Sequence, residues 1–102
     1  MDTPFVQIDE TKMKHNINEM ASIANQAGVV LRPHVKTHKI PEIAAMQIEA
    51  GAVGITVAKT TEAEVMAAHG IDNIFIAFPI IAKEKLDRLL ALNQKNQSYC
   101  RR

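Results

Sequence analysis

Residues 53–78 read VGITVAKTTEAEVMAAHGIDNIFIAF, and the order of signals inside this stretch decides the fold. An apolar run at 53–57 comes first. Thr61, followed three residues later by Glu64, has the form of a capping box and predicts a helix over 62–69 that Gly70 ends. The run IFIAF at 74–78 is apolar at every position, and Pro79 closes it. Two strands joined through a helix make a crossover unit, in which the strands lie parallel. Parallel strands are normally covered on both faces, which accounts for an apolar run without alternation.

The same unit extends outward in both directions. A strand is expected over 29–35, and the strand ends Val35, Val57 and Phe78 are spaced by 22 and 21 residues. Between the first two, Pro41 suits a first helical turn and Gly51 a helix stop. A longer helix is predicted over 10–27. There Met13, Ile17, Met20, Ala24 and Ala27 fall on one face, Asp9 can cap the start and Gly28 can end it. His15 lies off that stripe and reads as a solvated side chain. A short strand at 5–8 precedes this helix, and a last helix over 83–93 carries Leu86, Leu89 and Leu90 as its apolar stripe. Parallel strands alternating with helices define an α/β fold. A doubly wound sheet and part of a (β/α)₈ barrel both fit. No strand is followed by a glycine-rich loop, which weighs against the nucleotide-binding form of the first. Residues 1–92 read as one unit, and the polar stretch 93–102, NQKNQSYCRR, as a frayed tail.

Composition narrows the function classes. The chain has 102 residues, 47% of them hydrophobic and 23% charged, and a net charge of +1. Near-neutral charge and 4% aromatics argue against a nucleic-acid partner. No apolar run approaches the roughly 20 residues of a membrane span. The N-terminus lacks the pattern of a secretory signal, and Cys100 has no second cysteine to pair with. A soluble cytoplasmic location is the expectation.

One stretch, LRPHVKTHK at 31–39, breaks the local rules. Strand side chains alternate, so Val29, Leu31, Pro33 and Val35 should share one face and Val30, Arg32, His34 and Lys36 the other. Cationic side chains on a face that should be covered need an offset, and an anionic ligand would supply one. Lys36 falls at the expected carboxyl end of the strand, where parallel α/β folds keep their reacting groups. A lysine crowded by cations and partly desolvated is more readily a neutral nucleophile, able to form an imine with a carbonyl. Other readings compete on the residues alone. The segment could be a solvated edge strand, which Pro33 favours. It could contact a nucleic-acid phosphate, or His34 and His38 could ligate a metal, although neither a carboxylate nor a cysteine lies near them in sequence.

RPHVKTHK followed by PEIA, then AGAVGITVAKTTEAEV and GIDNIFIAFP, resembles the N-terminal part of the D-threonine aldolase and D-serine dehydratase family. The opening TPFVQID is also similar to that family's usual start, and the resemblance runs from about Thr3 to about Leu92. It implies a partial (β/α) barrel of the alanine-racemase N-terminal type. It implies pyridoxal 5'-phosphate as cofactor, with the lysine after His-Val, here Lys36, as the residue that binds it. Arg32, His34, Thr37 and His38 belong to the same motif and should surround the cofactor or the strand end, with no individual catalytic role assigned. Glu62 and Glu64 sit in the family's EAEV segment and read as helix-start residues.

The resemblance further implies a lyase acting on small D-β-hydroxy-amino acids, by aldol cleavage of the D-threonine type or dehydration of the D-serine type. A complete barrel takes about 250 residues. In that family the phosphate groove, the ring-nitrogen partner and the ligands of a divalent metal come from later segments, so no metal ligand is expected in these 102 residues. The isolated chain is expected to be inactive, and its open strand edges to promote self-association. The alternatives are a non-catalytic fragment and a racemase-like cofactor-binding relative.

Overall fold

The computed structural model describes residues 7–96. Its elements are α1 (Glu10–Ala27), a 3₁₀ turn (Val35–Thr37), α2 (Pro41–Glu49), β1 (Ile55–Val57), α3 (Thr60–Ala68), β2 (Ile74–Ile76) and α4 (Lys83–Asn96). β1 and β2 pair in parallel, with Ile55 opposite Ile74, Thr56 opposite Phe75 and Val57 opposite Ile76. The crossover predicted from 53–78 is therefore present, with both strands shorter than expected. Of the strand expected at 5–8, residues 5 and 6 lie outside the described residues, as do residues 97–102 of the expected tail, and residues 7 and 8 are not in a strand. Residues 93–96 are helical, because α4 continues to Asn96.

Period-two burial explains the sheet. Ile55, Val57, Ile74 and Ile76 are fully buried, and they share one face. That face packs with Ala63, Met66 and Ala67 of α3 and Leu89 of α4. Thr56 and Phe75 point to the other face and are only half-buried. The sheet is thus covered by helices on one side and open on the other, whereas the unbroken IFIAF run had suggested cover on both. The open side is the one a barrel turns inward. Phe78 lies beyond the strand and is 62% exposed.

The helix ends follow local chemistry. Asp9 caps α1 by accepting the Lys12 N–H at 3.0 Å, and Gly28 ends it in the left-handed region at φ 72. Pro41 opens α2 as predicted. The capping box at Thr61 and Glu64 does not form. The N-cap of α3 is Lys59, and Glu62 reaches back to accept the Ala58 N–H at 2.8 Å. Glu64 instead takes a two-pronged bond from Arg88 of α4, in which Nε donates to Oε2 at 3.0 Å and Nη2 to Oε1.

Two apolar stripes are narrower than predicted. On α1, Ala24 is buried and Met13 and Ile17 are half-buried, but Met20 and Ala27 are exposed. On α4, Leu89 is buried with Leu86 and Leu92 beside it, while Leu90 is 62% exposed. His15 is solvated, as expected, and pairs with Glu19 one turn on.

The expected strand at 29–35 is the main correction. The segment runs parallel beside β1, but only His34 and Thr56 form a bridge. The carbonyls of Leu31 and Pro33, two residues apart, accept from the N–H groups of Val53 and Thr56, three residues apart. The ladder carries one extra residue on the β1 side, as a bulge does. The chain then turns into the 3₁₀ geometry at Val35, so strand alternation stops at His34.

Candidate functional site

The open face presents a row made by His34, Thr56 and Phe75, which are paired across three adjacent segments. Arg32 lies over the same face, toward the start of the strands. Its Nη1 donates to the carbonyls of Ile55 and Asn73, both at 3.3 Å. Thr56 Oγ1 returns a bond to the Arg32 carbonyl at 3.3 Å. The half-buried guanidinium thus has partners within the sheet, and the anion invoked from sequence is not needed to offset it. Gly54 makes this crossing feasible. A Cβ there would overlap the Asn73 carbonyl oxygen and fall 2.7 Å from Arg32 Nη1.

Lys36 sits in the 3₁₀ turn immediately after the His34–Thr56 bridge. It does not share a strand face with Arg32 and His34, because the turn removes the alternation. It is exposed rather than desolvated, and its Nζ makes no hydrogen bond or ion pair among the described residues. Thr37 is likewise exposed. The other face of the turn is anchored by Val35, which is fully buried in the core. A buried valine beside an exposed lysine fixes where the amine emerges.

The histidines serve the backbone. His34 Nδ1 accepts the Lys36 N–H at 3.3 Å. His38 Nδ1 accepts the Ile40 N–H at 2.9 Å, and its Nε2 donates to Gln47 Oε1 at 3.2 Å. Lys39 follows at φ 59, a left-handed conformation uncommon for a non-glycine residue. Its Nζ lies 3.9 Å from Glu62 Oε2, whose side chain is only 10% exposed. The motif therefore runs along the open face from Arg32 at the start of the strands, through His34 opposite Thr56, to Lys36 and Thr37 at the carboxyl end, with His38 turned toward α2. Among the described residues, no three His, Cys, Asp or Glu side chains gather as a metal site.

Sequence reasoning missed Gly54, Gln47 and the reach of Glu62 to Ala58. Gly54 carried a signal, since a glycine inside a strand pattern marks a bulge or a close approach. Gln47 carried none, because its partner is nine residues away on another element.

Parallel strands alternating with helices, one face of the sheet covered and the other open, are the layout of a segment of a (β/α) barrel. Residues 8–96 match the alanine racemase N-terminal domain, and the chain belongs to that family. It is 40% identical over 86 residues to the D-threonine aldolase of an Arthrobacter species, covering 84% of this chain and 23% of that one. It is 42% identical over 95 residues to the D-threo-3-hydroxyaspartate dehydratase of Delftia sp. strain HT23, covering 93% of this chain and 25% of that one. The crystal structure of D-threonine aldolase from Filomicrobium marinum superposes with a TM-score of 0.91 at 38% identity, over 97% of this chain and 26% of that one. The chain spans about a quarter of the length of the relatives it matches. Among the described residues, no helix is long and apolar enough to cross a membrane.

Proposed function

We infer that this chain contributes the cofactor-lysine segment of a pyridoxal-phosphate-dependent lyase for small D-3-hydroxy-amino acids, working by aldol cleavage or dehydration. The observation that carries the reading is Lys36: an exposed amine without a partner, on a turn at the carboxyl end of the sheet. The residues present fit the cofactor's aldehyde, which needs a reachable amine and a backbone that holds it still. Lys39 fits less well because its ammonium faces Glu62. When bound, pyridoxal phosphate supplies an electron sink for bond breaking at the amino acid's α and β carbons.

In this reading Lys36 is the covalent attachment point. Arg32 ties the open face together at the Ile55 and Asn73 carbonyls, and His34, Thr37 and His38 shape the turn beside the cofactor. A cytoplasmic location and the need for a divalent metal in complete enzymes belong to the same proposal, with no ligand for that metal assigned here. So does self-association through the open strand edges. Turnover by these 102 residues alone is expected to be absent, since holding substrate and cofactor in reacting geometry supplies much of the rate.

The test is an absorption titration with pyridoxal phosphate. The wild-type protein should develop the band of a lysine-bound cofactor, and Lys36→Ala should not. An equal band in Lys36→Ala would sink the assignment.

A further inference from the structure

His34 and His38 make the same local bond four residues apart. In each case Nδ1 accepts the N–H of the residue two positions on, Lys36 at 3.3 Å and Ile40 at 2.9 Å. This is the reach by which Asn and Asp side chains close turns. The two closures bracket Lys36. The second is anchored further. A neutral ring whose Nδ1 accepts carries its proton on Nε2, and His38 Nε2 donates to Gln47 Oε1 on α2. Between the second closure and the helix, Lys39 is held at φ 59, a conformation that persists only where its surroundings enforce it.

We propose that His34 and His38 are positioning residues. They fix the backbone on both sides of Lys36 and so set where its amine emerges. The His38 ring, engaged at both nitrogens, serves as neither a cofactor ligand, a metal ligand nor a proton carrier. This rests on the reading of Lys36 as the attachment point. Both ring nitrogens of His38 are already engaged, so it could take up a metal or pass a proton only by releasing Ile40 or Gln47. Lys36 itself is exposed and has no other bond to orient it, so the direction of its long side chain depends on how firmly its backbone is held.

The variants that decide this are His34→Ala, His34→Asn, His38→Ala and His38→Asn in the 102-residue protein. Asparagine supplies an Oδ1 to the N–H two residues on, but has no imidazole chemistry. Two readouts apply: amide hydrogen exchange at Lys36 and Ile40, and the rate at which the pyridoxal-phosphate band grows. His38→Ala should speed Ile40 exchange and slow the band by roughly fivefold, the scale of one hydrogen bond. His34→Ala should act on the Lys36 amide in the same direction and by less, because its bond is longer. Both Asn variants should return to within about twofold of wild type.

Unchanged exchange in the Ala variants overturns the proposal. So do Asn variants as slow as the Ala variants, since that would require the imidazole itself. If an Ala variant loses its far-UV helix signal, the Asn variant decides alone, its wild-type exchange and rate supporting the proposal and their loss refuting it. Failure of the attachment reading looks different. There Lys36→Ala keeps the band, while exchange at Lys36 and Ile40 still decides whether the histidines hold the turn.

Discussion

In the β1–α3–β2 unit, Ile55, Val57, Ile74 and Ile76 are fully buried and the register is regular. In the neighbouring segment 31–40, only Val35 is buried, the ladder slips by a residue, and one bridge remains. The first region is held by apolar burial, which is strong and does not depend on direction. The second is held largely by side chains bonded to backbone: Arg32 to two carbonyls, His34 to Lys36, His38 to Ile40, and Thr56 to Arg32. Each such bond is worth only about 1 kcal/mol net, but each specifies a geometry. The contrast explains how one small sheet can be both stable and exact about where a lysine stands.

The largest effect should come from the apolar region. Ile74→Ala should cost about 2–5 kcal/mol, read as a shift in the denaturant midpoint. A loss below about 1 kcal/mol would mean that the buried face is not what holds the unit. Gly54→Ala joins the two regions, because the new methyl meets both a backbone oxygen and the Arg32 guanidinium. It should cost about 1–3 kcal/mol. Adding Arg32→Ala should recover part of that cost, since the Asn73 carbonyl oxygen and side chain remain in the way. Strict additivity would break the claimed contact.

Lys36→Ala should leave stability within about 0.5 kcal/mol of wild type, as expected for an exposed side chain without a partner, while removing cofactor attachment. That combination would separate positioning from stability most cleanly. The smallest effect belongs to Glu10, whose carboxyl is held below its usual range by the hydrogen bond and charge of Lys14. A depressed carboxylate adds stability above its unfolded value and loses it as pH falls through the folded one. Glu10→Gln should therefore be slightly less stable than wild type near neutrality and converge with it in acid, which leaves a slightly flatter acid limb in a pH-dependent melt.

The same contrast explains what could be read from the chain. The β1–α3–β2 unit was legible because its signals are local: an apolar run, a helix, Gly70, a second apolar run. The ends of α1 and α2 were legible through Asp9, Gly28 and Pro41 for the same reason. The capping box was misplaced because Thr61 and Glu64 match the pattern as well as the true arrangement does, and only the path of the chain sends Glu62 back to Ala58. The motif was legible as an unusual cluster on the segment beside β1. Its geometry was not. Alternation assumes a continuous strand, and the slip between Leu31–Pro33 and Val53–Thr56 depends on Gly54 accommodating Arg32 from another segment.

The central claim is that the 31–40 segment exists to present one particular amine. Reduction with borohydride after mixing with pyridoxal phosphate, followed by peptide mapping in a mass spectrometer, tests it directly. The account predicts that the stable phosphopyridoxyl label falls predominantly on Lys36 at low cofactor excess, with Lys39 and Lys59 largely unmodified. A label spread evenly over the exposed lysines, or concentrated on Lys39 or Lys59, would contradict it.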